Sequence, residues 1–165
     1  MDEMASRCKE LIYTEGRLID LRDWDNWLDL YEQSAEFWVP AWNGEFEYTQ
    51  DPDNEISLIY YADRSGLEDR VYRIRTGLSS ASVPLARTSH LIGSVQVSEV
   101  ADGEYLATSA WQTTSFKLQL RDTVVFAGHY EHKIRRQDDG QLKIAAKKVI
   151  VTNDLIAGAM DFYNI

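Results

Sequence analysis

The sequence predicts an α+β fold, because helical periodicity dominates its first half and long alternating strands dominate its second half. Two turn dipeptides, Asp102-Gly103 and Asp139-Gly140, separate the alternating stretches and are typical of hairpins. We therefore expect helices packed on one face of a sheet in which four long strands form a meander. No repeat or linker divides the chain, so residues 1–165 are expected to form a single domain.

The first predicted helix covers about residues 6–21, and its apolar stripe consists of Leu11, Ile12, Leu18 and Ile19. Gly16 lies inside this helix and indicates a tight packing contact or a bend, since glycine weakens a helix interior. A second helix is expected after Asp23, a suitable N-cap residue. The face that it buries consists of Trp24, Trp27, Leu28 and Tyr31.

The next segment mixes strand and turn signals. Residues 36–42 have a strand rhythm that Pro40 interrupts, which indicates an edge or a bend. Residues 45–54 are polar and turn-like, and the apolar run 56–61 fits a strand or a helix equally well.

A third helix is predicted to begin at the capping-box spacing of Ser65 and Glu68 and to stop at Gly77. Its buried face consists of Leu67, Val71 and Ile74. The serine-rich stretch at residues 79–82 follows it, and we interpret this stretch as a loop and not as part of a catalytic triad with His90.

Alternation assigns faces to the four long strands. Leu91, Val95 and Val97 are expected on one face of the first strand, with His90 on the opposite face. Residues 106–118 form the returning strand. One face of the third strand consists of Val124, Phe126, Tyr130 and Ile134, and one face of the last consists of Leu142, Ile144 and Ile150. The apolar tail at residues 155–165 is expected to dock on the domain.

Charge and composition exclude several classes of function. The formal net charge of −10 and the pI near 4.7 disfavour binding to nucleic acid or to an anionic membrane surface. The acidic N-terminus lacks the features of a signal peptide, and no run approaches the about 18 apolar residues that cross a bilayer. A single cysteine, Cys8, forms no internal disulfide, so we expect a cytoplasmic protein. The 5 Trp, 9 Tyr and 5 Phe residues fit either a core or a permanent interface.

The chain lacks the ligands of a Rieske cluster, which needs two Cys and two His. An iron site built from two His and a carboxylate is also disfavoured. His129 and His132 lie three apart in a strand pattern, which puts them on opposite faces. A cofactor-free acid–base pocket stays open, in which Tyr31, Trp38, His90 and Trp111 face a shared cavity near Asp20.

Several segments resemble the small (beta) subunits of aromatic-ring-hydroxylating dioxygenases, particularly the benzoate and anthranilate branch. They run in family order over roughly the first 95 residues: 13–20 (YTEGRLID), 24–28 (WDNWL), 37–42 (FWVPAW), 51–52 (DP), 55–61 (EISLIYY), 66–77 (GLEDRVYRIRTG), 79–82 (SSAS) and 87–92 (RTSHLI). The rest of the chain fits the family by strand pattern more than by motif. The loop at residues 43–50 looks variable.

The resemblance implies a fold like that of nuclear transport factor 2, a cone made by a curved antiparallel sheet with N-terminal helices packed on one face. It also implies assembly with a large (alpha) subunit that carries a Rieske 2Fe–2S cluster and a mononuclear Fe(II), commonly as three large and three small subunits. NADH would supply electrons through a reductase. On this reading the small subunit has a structural role, with no catalytic, cofactor-binding or metal-binding residue of its own.

Six residues are predicted to contribute to subunit contacts because aromatic and arginine side chains are enriched at interfaces. They are Trp38, Trp42, Arg64, Arg70, Arg73 and Arg87. For the arginines, the alternative is a solvated helix face with intramolecular pairs. Two further hypotheses for the whole chain stay open: a free-standing isomerase, dehydratase or cyclase of the same fold, and a ligand-binding module without catalysis.

Overall fold

The computed structural model describes residues 2–78, 84–156 and 160–165. The predicted serine-rich stretch at 79–82 lies outside these residues. The helices and strands are α1 (Asp2–Asp20), α2 (Trp24–Asp29), β1 (Tyr31–Pro40), β2 (Ser57–Tyr61), α3 (Arg64–Thr76), β3 (Arg87–Ala101), β4 (Glu104–Lys117), β5 (Asp122–Arg136) and β6 (Leu142–Val151). A short 3₁₀ turn, Phe162–Asn164, follows near the C-terminus.

The six strands form one sheet in the order β2-β1-β6-β5-β4-β3. The predicted meander of β3 to β6 is confirmed, and its three pairings are antiparallel. The first strand, β1, is hydrogen-bonded to the last strand, β6, in parallel. On its other side, β1 pairs with β2 in antiparallel orientation. The helices pack on one side of this curved sheet, which we call the inner face, so the predicted α+β class is confirmed.

Two bulges change which side chains reach the inner face. The pairing of β3 with β4 shifts between Gly93 and Gln96, where Ser94 has a left-handed φ of 52°. The prediction that Leu91 shares a face with Val95 and Val97 is therefore wrong. Leu91 is 70% exposed on the outer face, whereas both valines pack against the inner core on the same side as His90.

The second bulge lies in β6, where Ala145 is the extra residue between the pairs Ile134–Ile144 and Lys133–Ala146. It moves Ile150 to the outer face opposite His129, so the predicted common face of Ile144 and Ile150 is wrong. Bulges bend the strands that contain them, and these two contribute to the curvature of the sheet.

Other element boundaries also differ from the sequence predictions. Tyr31 is the first residue of β1 and not part of α2, which ends at Asp29. The N-cap of α3 is Asp63, whose carboxylate accepts a hydrogen bond from the Ser65 backbone N–H, so the predicted capping box is wrong. The predicted stop at Gly77 is confirmed, with a left-handed φ of 69°.

The main core lies between the helices and the inner face, and aromatic rings dominate it. The ring of Phe162 stacks on Trp27 at 4.7 Å and meets the edge of Trp24 at 5.6 Å. The ring of Tyr31 meets Trp27 at 5.2 Å. Phe162, Tyr163 and Ile165 are all buried, so the predicted docking of the C-terminal tail is confirmed for residues 160–165. It is wrong for Leu155 and Ile156, which are exposed, and residues 157–159 lie outside the described part of the chain.

Gly16 marks the closest approach of α1 to the sheet. A Cβ atom at this position would lie 2.9 Å from Ile92 Cδ1 and 3.4 Å from His90 Cβ. The tight contact predicted for this glycine is confirmed. None of the helices in the described parts of the chain is long and apolar enough to cross a membrane.

Candidate functional site

A buried polar cluster on the inner face is centred on Glu15, which α1 places on its apolar stripe between Ile12 and Ile19. Lys147 of β6 donates to both carboxylate oxygens of Glu15 at 2.9 Å. Tyr31 Oη donates to the Oε1 atom at 2.7 Å, and Trp27 Nε1 donates to the same oxygen at 3.2 Å. The carboxylate is thereby held by donors from a helix and from two strands.

Burial and charge shift the ionisation of this cluster. Burial by itself raises the pKa of Glu15, but the Lys147 ammonium and the hydrogen bond from Tyr31 more than offset burial and lower it. Burial lowers the pKa of Lys147 despite the carboxylate opposite it. It also lowers the pKa of His132, whose Nε2 atom lies 3.8 Å from Glu15 Oε2, beyond hydrogen-bond distance.

This cluster, which we call the Glu15–Lys147 cluster, is closed to solvent. The side chains of Glu15 and Lys147 are each 1% exposed, and that of His132 is 0% exposed. The ammonium of Lys147 also lies 4.1 Å from the centre of the Tyr130 ring. A sealed ion pair of this kind has no access to a substrate in solution, and it fixes α1 to the sheet.

A second polar group lies nearer the start of β3. The Asp20 carboxylate at the end of α1 accepts from the His90 backbone N–H at 2.8 Å and from Thr88 Oγ1 at 2.9 Å. His90 Nδ1 lies 2.6 Å from Asp20 Oδ1. Burial raises the pKa of Asp20, but the hydrogen bonds from His90 and Thr88 overcome that effect and lower it.

The predicted shared cavity is only partly realised. Tyr31, His90 and Trp111 all reach the inner face, and Asp20 lies beside His90 as predicted. The prediction for Trp38 is wrong, because Trp38 pairs with Lys148 on the outer face, where the Lys148 ammonium lies 4.9 Å from its ring. Its neighbour Phe37 takes the inward position.

A single cysteine cannot supply the two thiolate ligands of a Rieske cluster. The one cysteine of the chain, Cys8, is buried, and burial raises the pKa of its thiol to about 11. His129 is exposed on the outer face and His132 is buried on the inner face, so their predicted separation is confirmed. Among the described residues, no three His, Cys, Asp or Glu side chains are grouped to hold a metal ion.

The six residues predicted at an interface fall into two groups. Trp38, Arg64 and Arg70 are engaged within the chain. Trp38 is 7% exposed and donates to Ser57 Oγ at 2.9 Å. Arg64 donates to the Tyr31 carbonyl oxygen at 3.0 Å and pairs with Glu68 at 2.9 Å.

Arg70 joins α3 to the C-terminal segment through an ion pair with Asp161. The Asp161 carboxylate also accepts from the Phe162 backbone N–H at 2.8 Å, which orders the 3₁₀ turn that buries the Phe162 ring. The intramolecular alternative therefore describes Arg64 and Arg70 well.

Trp42, Arg73 and Arg87 present more of their surface. Trp42 is 40% exposed, although its Nε1 atom donates to the Val151 carbonyl oxygen at 2.7 Å. Arg73 is 51% exposed and pairs with Asp69 at 3.1 Å along the same helix. Arg87 is exposed at the start of β3, and the described residues show no ion pair for it.

The Glu15–Lys147 cluster was not predicted from the sequence. One signal was available: Glu15 lies three residues after Ile12 and four before Ile19, so a charge occupies the apolar stripe of α1. No comparable signal marked Lys147. Alternation from Ile144 places Lys147 on the outer face, and only the bulge at Ala145 turns it inward.

Comparison with known proteins assigns the chain to a family. Residues 14–158 match the family described as "Ring hydroxylating beta subunit". The chain belongs to this family. The small subunit of 2-halobenzoate 1,2-dioxygenase from Burkholderia cepacia is 40% identical over 154 residues, which cover 93% of this chain and 92% of the relative. The beta subunit of benzoate 1,2-dioxygenase from Acinetobacter baylyi is 41% identical over 157 residues, with 94% and 90% covered.

The same family supplies a similar solved structure. The crystal structure of the beta subunit of benzoate 1,2-dioxygenase from Burkholderia mallei superposes with a TM-score of 0.78 and 36% identity, covering 97% of this chain and 96% of the other. The predicted cone of the nuclear transport factor 2 type is thereby confirmed. The chain is a ring-hydroxylating dioxygenase beta subunit, and of the three hypotheses for the whole chain the accessory subunit is confirmed.

Proposed function

We propose that this beta subunit assembles with a large subunit that carries a Rieske 2Fe–2S cluster and a mononuclear Fe(II), in a complex with three copies of each chain. The complex adds both atoms of O₂ to an aromatic ring, and NADH supplies the electrons through a reductase. The beta subunit provides structural support and leaves the chemistry to the large subunit. One observation carries this proposal: about 40% identity to named dioxygenase small subunits over more than nine-tenths of the chain.

The same relatives support a benzoate-like substrate for the complex. Those named above act in 2-halobenzoate and benzoate dioxygenases, and a beta subunit of toluate 1,2-dioxygenase from Pseudomonas putida is 39% identical over 157 residues. All three substrates in these names are benzoates. A ring carboxylate is therefore the feature that we expect the substrate of this complex to share.

The metal-ligand residues available in this chain also support iron centres on the large subunit and a structural role for the beta subunit. A Rieske cluster takes two Cys and two His ligands, and this chain has one buried Cys and two separated His residues on β5. The residues present therefore do not fit either iron centre. We place both centres on the large subunit and the complex in the cytoplasm, where an unpaired thiol stays reduced.

The outer face supports a contact surface for the large subunit. Lys148 lies between two aromatic rings there, 4.9 Å from the centre of Trp38 and 4.8 Å from that of Tyr48. Trp42 packs edge-on against Tyr48 at 5.7 Å and keeps two-fifths of its surface exposed. Aromatic side chains held rigidly in this way are typical anchors of permanent interfaces.

We assign direct subunit contacts to the three exposed members of the predicted set, Trp42, Arg73 and Arg87. Both guanidinium groups are exposed, and Arg73 has only its Nε atom engaged, with Asp69, so each can form hydrogen bonds with carboxylates of a partner. Trp38, Arg64 and Arg70 act indirectly, because they fix the positions of β2, α3 and the C-terminal turn.

Affinity purification of the tagged chain from its native host tests the assembly. We expect a stoichiometric larger partner, iron in the eluate, and the absorption spectrum of a Rieske cluster. A colourless, iron-free homo-oligomer without a partner would contradict the proposal.

Charge reversal tests the contact residues in the same experiment. Arg73→Glu and Arg87→Glu are expected to reduce the yield of the large partner, because each replaces a donor by a repelling carboxylate. Arg17→Glu, on the exposed side of α1, is the matched control and should retain the partner. Full recovery of the partner with Arg73→Glu and Arg87→Glu would remove these residues from the interface.

A further inference from the structure

The inner face holds buried polar atoms that no described protein group satisfies. Four of them lie close together on β3 and β4: His90 Nε2, Trp111 Nε1, Thr113 Oγ1 and Ser115 Oγ. Their side chains are closed to solvent, with His90 2% exposed, Trp111 3% exposed and the two hydroxyl residues 0% exposed. We call this group the β3–β4 polar site.

The strand register brings these atoms onto one patch. Thr113 lies directly opposite His90, and Ser115 lies directly opposite Thr88, which bonds Asp20. Trp111 is the partner of Ile92, one step further along the same face. Residues directly opposite each other in an antiparallel pair have Cβ atoms about 5 Å apart, so His90 and Thr113 are immediate neighbours, and Trp111 and Ser115 flank Thr113 on the same face of β4.

The contact with Asp20 determines which ring nitrogen of His90 carries the proton. A carboxylate only accepts hydrogen bonds, so Nδ1, at 2.6 Å from Asp20 Oδ1, is the protonated nitrogen. In the neutral ring, Nε2 is then an acceptor with a free lone pair. The His90 backbone N–H and the Thr88 hydroxyl both donate to Asp20 and hold it in place, so the direction of this lone pair is fixed.

The chemistry of the remaining groups complements that acceptor. The indole N–H of Trp111 only donates, and the hydroxyls of Thr113 and Ser115 donate or accept. A guest must therefore offer a proton to His90 and a lone pair to its neighbours, which is the bonding pattern of a hydroxyl group. The Asp20 carboxylate lies beside the site and bonds to His90, so an anionic guest is disfavoured.

We propose that the β3–β4 polar site binds a small neutral guest through a hydroxyl group, which donates to His90 Nε2 and accepts from Thr113, Ser115 or Trp111. Buried polar atoms of native proteins almost always have a partner, and bound water or a ligand supplies it where the protein does not. Water and the hydroxyl of a small phenol share this chemistry. The site is independent of the iron chemistry and of assembly with a large subunit.

A crystal structure of the full-length chain at atomic resolution, with and without phenol, tests the site and separates the two sources. We expect an oxygen atom within hydrogen-bond distance of His90 Nε2. If phenol replaces that oxygen by its own hydroxyl, the site accepts organic guests; if the oxygen persists unchanged, the guest is water. Benzoate, an anion of similar size, is the matched probe and is expected to leave the site unaltered.

Variants and a solution measurement complete the test. Thr113→Val with Ser115→Ala is expected to remove the oxygen, or to weaken phenol binding about tenfold, which corresponds to roughly one lost hydrogen bond. Thr114→Val, on the opposite face of the same strand, should retain both. Nitrogen NMR of the wild-type histidine rings needs no variant and should show the proton of neutral His90 on Nδ1. A proton on Nε2, or no oxygen beside Nε2 in the wild type, would overturn the proposal.

Discussion

The ammonium of Lys147 lies 2.9 Å from each carboxylate oxygen of Glu15, a residue 132 positions earlier in the chain. This buried pair joins α1, the first helix, to β6, the last strand. Both partners are almost completely shielded from water, so each one compensates a charge that is costly to bury alone.

Removing one partner of this pair is expected to destabilise the fold strongly. Lys147→Met or Glu15→Gln should each lower the free energy of unfolding by about 3–5 kcal/mol, because a buried charge or polar group loses its partner. The double variant should lose less than the sum of the two single losses. Urea unfolding followed by tryptophan fluorescence measures all three.

Lys133→Met is the control for the ion pair, since Lys133 is exposed on β5. It should change the free energy of unfolding by less than about 0.5 kcal/mol. If Lys133→Met and Lys147→Met lowered the free energy of unfolding equally, the buried ion pair would not stabilise the fold more than an exposed lysine does.

The stability of the chain should depend on Asp20 at acidic pH. Its pKa is lowered in the folded state, so the unfolded chain binds the proton first as pH falls. The stabilisation from Asp20 is therefore complete above its unfolded pKa of about 3.9 and is lost as pH falls through the folded pKa. Asp20→Asn should flatten the acidic limb of the stability profile, measured as urea unfolding from neutral to acidic pH.

Two threonine variants test whether the hydrogen bonds to Asp20 cause this pH dependence. Thr88→Val removes one of the hydrogen bonds to Asp20 and should give a profile between the wild type and Asp20→Asn. Thr114→Val faces away from Asp20 and should reproduce the wild-type profile. An acidic limb that is unchanged in Asp20→Asn would disprove the role of this carboxylate.

Adding a methyl group at Gly16 should loosen the contact of α1 with β3. Alanine is the better helix former by about 1 kcal/mol, yet its Cβ atom would press on Ile92 Cδ1 at 2.9 Å. We expect a net loss of about 1–3 kcal/mol from overpacking. Ile92→Val removes the opposing methyl group, so the double variant should be more stable than Gly16→Ala alone in thermal unfolding.

Two of the ion pairs made by arginines of α3, Arg70–Asp161 and Arg73–Asp69, should differ in their contribution to stability. Arg70→Gln leaves the Asp161 carboxylate largely buried without its partner and should cost about 1–3 kcal/mol. Arg73→Gln breaks an exposed pair and should cost less than about 1 kcal/mol. Hydrogen exchange at Phe162 and Tyr163 should rise only in Arg70→Gln, and equal exchange in both variants would argue against the C-terminal tether.

Cys8 should resist thiol reagents in the folded protein. Its side chain is buried and burial raises the pKa of the thiol to about 11, so little thiolate is present at neutral pH. The thiol should react with a disulfide reagent only after urea is added. Rapid reaction without urea would indicate that α1 separates readily from the sheet.

Local patterns predicted the class of fold and most of its elements. Each of three predicted features depends on residues that are close together in the sequence. They are the apolar stripe of α1, the stop at Gly77 and the two Asp-Gly hairpins, and all agree with the structure. The docking of Phe162 followed from its apolar surroundings. These features depend on short-range chemistry, which a single sequence displays.

Local sequence patterns did not predict the bulges or the contacts between distant segments. Nothing local distinguishes Ser94 or Ala145 as an extra residue in its strand, yet each one reverses the alternation that follows it. The position of Lys147, and with it the centre of the Glu15–Lys147 cluster, depends on one of these reversals. His90 and Asp20 were predicted near each other, but their hydrogen-bond geometry required the approach of α1 at Gly16.

The parallel pairing of β1 with β6 determines when this chain can fold during its synthesis. The ribosome releases α1, α2 and β1 long before β6 exists, and the aromatic rings of Trp24 and Trp27 have no sheet to cover them until then. Contacts between such distant segments close slowly. The newborn chain therefore passes through a period in which the apolar faces of these helices lack the sheet that they pack on, and exposed apolar surface of this kind favours aggregation.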